Sequence, residues 1–170
     1  MRRQALVAGA LALTSAATPS LAADCALENA IYRDPVAGFE VYFHPYEPTA
    51  ADDLVTSAYT ITFNGMKAPF VGEITAGLGD YRTEGDARLG CPKTKTGVLS
   101  DRQRKACTVW ADFVYELGDH DANPLPDGDQ PAPIAILLVD FGKTIKYGSD
   151  LDLADSGVPG DVFRLVGCSK

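Results

Sequence analysis

The chain has 170 residues, a formal net charge of −8 and four cysteines. This length fits one domain with a substantial core, and the acidity excludes nucleic acid and anionic lipid as main partners because both would be repelled. Two interpretations of the acidity stay open: it keeps an exported protein in solution, or it attracts a basic partner.

The N-terminus has the layout of a secretory signal peptide. A basic start is followed by an apolar run, Ala5–Leu13, and then by small residues at Ser20 and Ala22. The apolar run is too short to span a bilayer as a helix. We therefore predict that residues 1–22 are a cleaved signal peptide. Residues 23–170 then form a single small secreted domain, in the periplasm or outside the cell, with no membrane segment left after cleavage.

The four cysteines are predicted to form two disulfides. Cys25 follows Asp24, and a carboxylate is unsuited to the position before a lipid-modified cysteine, so Cys25 is interpreted as a disulfide partner rather than a lipid anchor. The count is even and no C-x-x-C pair occurs, which favours disulfides over a zinc or redox site. We favour Cys91–Cys107, which closes a short loop, together with Cys25–Cys168, which joins the ends. The two crossed pairings stay open.

Alternating apolar and polar residues predict antiparallel strands in the first half of the mature chain. The segments AIYRD and GFEVYFHPY each end at a proline. The segment AYTITFNGM ends in Asn64–Gly65, a strong hairpin signal, so KAPFVGEITAG is predicted to be the returning strand. The segment GLGDYRTEGDARLGC is predicted to contain turns around one short strand.

One principal helix is predicted over about residues 101–117. Ser100 and Gln103 have the spacing of a capping box, and Gly118 stands where a helix commonly ends. Between them the apolar residues recur at helical spacing. These apolar residues are Ala106, Val109, Trp110, Phe113, Val114 and Leu117.

The remaining segments complete an α+β prediction. IAILLVDF is a continuous apolar run and is predicted to be a central strand. KTIKYG is predicted to return beside it, and DVFRLVGC to form a last strand that ends at a disulfide. The predicted fold is a mainly antiparallel β-sheet with one principal helix, held by two disulfides.

An acidic loop after the predicted helix is a candidate calcium site. Asp119, Asp121 and Asn123 stand in D-x-D-x-N order, and Asp127 falls at the ninth position of the same register. A proline replaces the glycine of such loops, and Gln130 stands where a bidentate glutamate is needed. A solvated acidic loop is therefore the favoured interpretation, with calcium as the alternative. A second, weaker acidic cluster contains Asp150, Asp152 and Asp155.

The sequence assigns no catalytic residue. His44 and His120 are the only histidines, and His44 shares a predicted strand face with Glu40 and Tyr42. No serine lies in a G-x-S-x-G motif, and no H-E-x-x-H or phosphate-binding loop occurs. For both histidines a surface role is favoured over that of a catalytic base.

We therefore predict a small exported binding or inhibitory module without enzymatic activity. Its partner would be a basic protein, for example a cationic lysozyme-like enzyme, or a small ligand. The alternatives are a small carboxylate-dependent hydrolase, whose acids the fold would have to gather, and a calcium-binding structural protein. Apart from calcium in that last alternative, no cofactor is predicted.

Overall fold

The computed structural model describes most of the chain beyond the N-terminal segment. The predicted signal peptide, residues 1–22, and the acidic cluster of Asp150, Asp152 and Asp155 lie outside the described residues. The described ranges are 25–46, 54–77, 82–94, 98–148 and 157–169.

Within these ranges the chain forms nine strands and two α-helices, with a 3₁₀ turn at Leu27–Asn29 ahead of the first strand. In chain order the elements are β1 (Ala30–Arg33), β2 (Glu40–His44), β3 (Val55–Thr62), β4 (Phe70–Ala76), β5 (Thr83–Arg88), α1 (Asp101–Cys107), β6 (Thr108–Leu117), β7 (Ala122–Pro124), β8 (Ala135–Leu138), α2 (Phe141–Gly148) and β9 (Val162–Cys168).

Eight of these strands close into an antiparallel barrel. Strands β1 to β6 pair in sequence, β6 pairs with β8, β8 with β9, and β9 returns to β1. Strand β7 pairs with the end of β6 and lies outside this closed order. The mainly antiparallel β-structure predicted from the alternating segments is confirmed, but it is a barrel rather than a sheet with one principal helix.

The interior of the barrel is filled by side chains. An eight-stranded barrel is just wide enough for inward side chains to meet, and alternate residues of each strand point inward. On β2, Val41 and Phe43 are buried while Tyr42 between them is half-exposed. The largest fully buried side chains are Tyr32, Tyr59, Phe39, Phe70, Phe141, Phe163, Leu27, Ile61, Ile74, Ile136, Leu138 and Ile145.

Both ends of the barrel are covered. At one end α2 begins with Phe141, whose ring centre lies 5.6 Å from that of Trp110 and 5.8 Å from that of Phe163 in edge-on contacts. At the other end Leu27 is fully buried, and its N–H donates to the carbonyl of Gln130 at 2.8 Å. The apolar core therefore continues from one end of the barrel to the other.

The predicted helix over 101–117 is wrong beyond Cys107. The capping box is present, since the Ser100 hydroxyl accepts from the Gln103 N–H, but α1 ends after seven residues and β6 follows without a loop. The segment TVWADFVYEL is rich in β-branched and aromatic residues, which pack well on a pleated surface. Pairing with β5 on one side and β8 on the other satisfies its backbone, and this non-local pairing outweighs the helical spacing.

The prediction that KTIKYG forms a strand is also wrong, because these residues belong to α2. Phe141 and Ile145 are one helical turn apart and fully buried, so the helix packs one apolar face on the end of the barrel. Gly142 packs directly against the backbone of Pro159, since an added Cβ would stand 2.1 Å from the carbonyl oxygen of that proline.

The cysteines lie in two pairs at bonding distance, and they are the two favoured pairs. Cys25 pairs with Cys168, with Cα atoms 6.3 Å apart, and Cys91 pairs with Cys107, with Cα atoms 5.1 Å apart. Two disulfides are compatible with an oxidising compartment. Of the helices within the described ranges, none combines the length and apolar character that crossing a membrane requires.

Candidate functional site

The outer wall of β4 and β5 carries a row of charged side chains. Because alternate residues of a strand share a face, Glu73 on β4 points outward together with Asp86 on β5. The two residues are register partners, and the N–H of Glu73 donates to a carboxylate oxygen of Asp86 at 3.1 Å. Helix α1 lies over this wall and brings Arg104 to the same place.

Two carboxylates and two guanidinium groups form what we call the outer-wall ion cluster: Glu73, Asp86, Arg88 and Arg104. Glu73 lies 2.7 Å from Arg88 and 2.8 Å from Arg104, each measured between a carboxylate oxygen and a guanidinium nitrogen. Asp86 lies farther from both arginines, at 3.4 Å and 3.8 Å. Arg88 is only 5% exposed, so its charge depends on these two partners.

The cluster shifts the pKa values of its two acids in opposite directions. Burial raises the pKa of Glu73, but the hydrogen bonds from Arg88 and Arg104 outweigh burial and hold that pKa below its ordinary value. Burial raises the pKa of Asp86, and the more distant arginine charges do not compensate for it. The difference follows the distances, since the closer carboxylate gains more from the positive charges.

The barrel interior supports this wall from behind. The hydroxyl of Tyr59 donates to the backbone carbonyl of Asp86 at 2.6 Å, and its ring lies against Gly72. A Cβ on Gly72 would stand 2.3 Å from both that carbonyl oxygen and the Tyr59 ring. A glycine is therefore needed at this position so that β5 and the tyrosine ring can approach β4 closely.

Two shallow depressions adjoin the cluster on the outer wall. The larger, of about 260 Å³, lies over β5 and β6, and we call it the Glu84 depression. Glu84 and Phe113 are register partners, so one carboxylate and one aromatic ring share the outward face of this depression. Its lining residues are Glu84, Gly85, Ala111, Asp112 and Phe113. The smaller, of about 200 Å³, is lined by Glu73, Thr75, Glu84, Gly85, Asp86, Arg104 and Ala111.

The Glu84 depression has the chemistry to hold a cationic side chain. Carboxylates attract a guanidinium or ammonium group, and an aromatic face binds the same groups through its quadrupole. The chain itself shows the second contact, since the guanidinium carbon of Arg82 lies 5.0 Å from the centre of the Phe113 ring.

The predicted polar face of β2 is present on the outer wall. Tyr42 donates a hydrogen bond to Glu40, and Arg33 of β1 pairs with the same carboxylate. The hydrogen bond from Tyr42, followed by that from Arg33, lowers the pKa of Glu40. His44 pairs in register with Ala58, which in turn pairs with Glu73, so the histidine is two strands, or about 10 Å, from the ion cluster.

The structure does not place all the candidate calcium residues in one loop, because Asp119 and Asp121 lie in the turn between β6 and β7, Asn123 lies in β7, and Asp127 follows β7. The N–H of Gly118 donates to the carbonyl of Asp121 at 3.0 Å, and the Asn123 side chain donates to Glu116 across the hairpin at 3.1 Å. His120 and Asp127 are exposed. No three acidic, histidine or cysteine side chains in the described ranges come together as a metal-binding group. The calcium site stays a prediction. The helix that was expected to lead into the acidic loop is not there, because strand β6 precedes the loop.

The sequence reasoning missed the ion cluster and the Glu84 depression. A signal was present in the sequence. In FVGEITA, Glu73 stands between two inward positions, and in TEGDAR, Glu84 and Asp86 occupy alternate, outward positions. What the pattern cannot show is that these strands are neighbours in the sheet, or that Arg104 from α1 lies over them.

No protein-family model, curated protein or solved structure matches the chain.

Proposed function

We propose that this protein is an exported binding or inhibitory module, without enzymatic activity, that engages a basic protein through its acidic outer wall. The observation that carries the proposal is the filled interior of the barrel, whose two ends are covered by Phe141 and Leu27. A binding surface must then lie outside, where the Glu84 depression offers a carboxylate and an aromatic ring.

The charge of the chain supports a basic partner. A formal net charge of −8 raises the encounter rate with a cationic protein and lowers it with polyanions. Electrostatic attraction of this kind is weakened by salt, because the Debye length falls to about 3 Å at 1 M ionic strength. Complex formation should therefore be saturable and sensitive to salt.

The rigidity of the fold supports binding by a preformed surface. Two disulfides, a closed strand order and aromatic packing leave the outer wall little freedom, so little conformational entropy would be lost when a partner binds. Loops that must order on binding would make association weaker for the same contact area.

The test is titration calorimetry with lysozyme as the basic probe and an acidic protein of similar size as the control. We expect saturable binding of lysozyme alone, weakened by added salt. Glu84→Gln should weaken binding about tenfold or more, since an acidic contact with a cation contributes about 1.5–3 kcal/mol.

A matched control for that variant is Asp119→Asn at the exposed hairpin, which changes the net charge equally. It should change the affinity less than threefold. If lysozyme and a panel of other basic exported proteins show no saturable binding, the proposal is wrong.

A carboxylate-dependent hydrolase is the second candidate, because Glu73 and Asp86 adjoin a depression and have pKa values shifted in opposite directions. Such a pair resembles a general acid beside a carboxylate base. Turnover of chromogenic glycosides or esters that disappears in Asp86→Asn would favour this candidate over the binding module. The arginine contacts of both acids agree better with a structural ion cluster.

A further inference from the structure

The segment between Cys91 and Cys107, which we call the disulfide loop, has the opposite charge to the rest of the protein. Its described residues carry Lys93, Arg102, Arg104 and Lys105 against one acid, Asp101, in a chain with a net charge of −8. Arg104 is directed inward to the outer-wall ion cluster, whereas the other three basic residues are exposed.

Covalent and hydrogen-bonded contacts hold both ends of the disulfide loop. Gly90 adopts the left-handed backbone conformation, with φ of 66°, and Cys91 after it bonds to Cys107, which is 7% exposed. The N–H of Leu89 donates to the carbonyl of Cys107 at 2.9 Å, which joins the two ends a second time. The two ends of the loop are therefore held rigidly against each other.

Among the described residues of the loop, Lys93 is the exposed cation that lies outside α1, whereas Arg102 and Lys105 lie on that helix. Lys93 lies two residues from Cys91 and directly after Pro92, and the proline ring restricts the φ angle of Pro92. The next residue, Thr94, is only partly exposed and its hydroxyl oxygen is buried, whereas Lys93 is exposed. The backbone thus turns Thr94 toward the protein and Lys93 toward solvent.

We infer that Lys93 enters a carboxylate-lined cleft of the basic partner while the acidic outer wall faces that partner's basic surface. The inference rests on the proposed function. The Lys93 contact would be the one through which binding blocks the partner's activity. An extended polyanion would be attracted by the basic residues of the disulfide loop but repelled by the acidic remainder of the molecule. A basic enzyme with an acidic substrate cleft satisfies both charges, and a glycoside hydrolase with two catalytic carboxylates has such a cleft.

Removing Lys93 should leave the cleft carboxylates of the bound enzyme without their counter-ion. Truncating one partner of a buried charge pair commonly weakens a complex about 30-fold or more, mainly through faster dissociation. An exposed cation at the rim of the contact should change the affinity only slightly.

The experiment uses the full chain and lysozyme, and it measures the dissociation constant and residual glycoside hydrolysis for wild type, Lys93→Ala and Lys105→Ala. Lys105 is exposed on the same loop, and its replacement removes the same charge. We expect Lys93→Ala to bind about 30-fold more weakly and to lose inhibition, and Lys105→Ala to stay within about threefold of wild type. An N-acetylglucosamine oligomer should compete with wild type for the cleft.

A second readout is zero-length carbodiimide cross-linking followed by peptide mapping, which should join the Lys93 amine to a carboxylate in the lysozyme cleft. Unchanged binding by Lys93→Ala, equal losses in both variants, or saturable binding of the loop to heparin would overturn the inference and leave the proposed function standing. Absence of any complex with lysozyme and the other basic proteins would overturn both.

Discussion

Gly72 shows how a single missing side chain positions the outer-wall ion cluster. Its place beside Tyr59 lets that residue extend over β4 and donate its hydroxyl hydrogen to the carbonyl of Asp86 on the next strand. Burial raises the pKa of Tyr59 well above its ordinary value, so the hydroxyl remains a donor. The alternation of β4 predicts that Gly72 faces inward, but the close approach of the ring requires the folded barrel.

Replacing Gly72 by alanine should lower the free energy of unfolding by about 2 kcal/mol, because the new methyl overlaps backbone and ring atoms at 2.3 Å. Urea unfolding followed by tyrosine and tryptophan fluorescence measures the change. Gly167→Ala is the control, since nothing lies within 4 Å of its added Cβ. Equal effects in the two variants would contradict this account of Gly72.

Ser57 is a buried hydroxyl whose oxygen has no hydrogen-bond partner in the part of the chain that the structure describes. Ser57→Ala removes this unpaired group, so the free energy of unfolding should stay unchanged or rise by about 1 kcal/mol. Thr83 is the contrasting position, because its hydroxyl donates to Val114 and accepts from the N–H of Leu125. Thr83→Ala should lower stability by about 2 kcal/mol, and a similar loss in Ser57→Ala would show that Ser57 is paired.

At the level of elements, the junction of α1 and β6 shows that the start of the helix depends on neighbouring residues and its end on residues far along the chain. Ser100 and Gln103 specify the start of the helix through a capping box, which depends only on neighbouring residues. The end of the helix depends on strands far along the chain, since Val114 pairs with Thr83 and with Leu138. The helical spacing of apolar residues in β6 is therefore misleading without knowledge of these partners.

The ion cluster joins α1 to the barrel wall, and Glu73 is its most closely bound acid. Glu73→Gln should lower the free energy of unfolding by about 2 kcal/mol at pH 7, because buried Arg88 loses its nearest negative charge. Exposed Glu84 provides the control, and Glu84→Gln should leave stability within about 0.5 kcal/mol of wild type. Urea unfolding measures both variants.

The same cluster predicts how stability depends on pH. The lowered pKa of Glu73 adds stability above its ordinary value of 4.5, and this stability is lost as the pH falls through the lower value in the folded protein. The raised pKa of Asp86 acts in the opposite sense, because its contribution is present below its ordinary value of 3.8 and is lost as the pH rises through the higher folded value. The destabilisation by Glu73→Gln should therefore shrink between pH 7 and pH 3, and a constant difference would contradict the assignment.

At the scale of the whole molecule, the two disulfides should differ in their contributions. Cys25 and Cys168 are 143 residues apart, whereas Cys91 and Cys107 are 16 apart. The chain-entropy relation gives about 5 kcal/mol for the long closure and about 3 kcal/mol for the short one. Replacing each pair by serine should produce this order in urea unfolding. A larger loss for the short pair would show that it holds native contacts that the long pair does not.

Closure of the barrel brings the candidate binding groups together. Glu84 and Phe113 become neighbours only because β5 pairs with β6 across α1 and the disulfide loop. The same closure fills the interior and leaves the outer wall as the surface on which the proposed recognition would occur. The proposed function is therefore a property of the whole barrel rather than of any one motif.

Most of the antiparallel strands, the capped start of α1 and the acidity of the chain could be predicted from the sequence, and the two observed cysteine pairs were favoured among pairings that stayed open. These predictions follow from side-chain alternation, from contacts within one turn, from net charge and from the even number and spacing of the cysteines. The folded structure was needed to show that β6 is a strand, that the sheet closes into a filled barrel, and that Glu73, Asp86, Arg88 and Arg104 meet on one wall. Backbone pairing and charge clustering join residues distant along the chain, and alternation along a single strand does not specify which strand will be its neighbour.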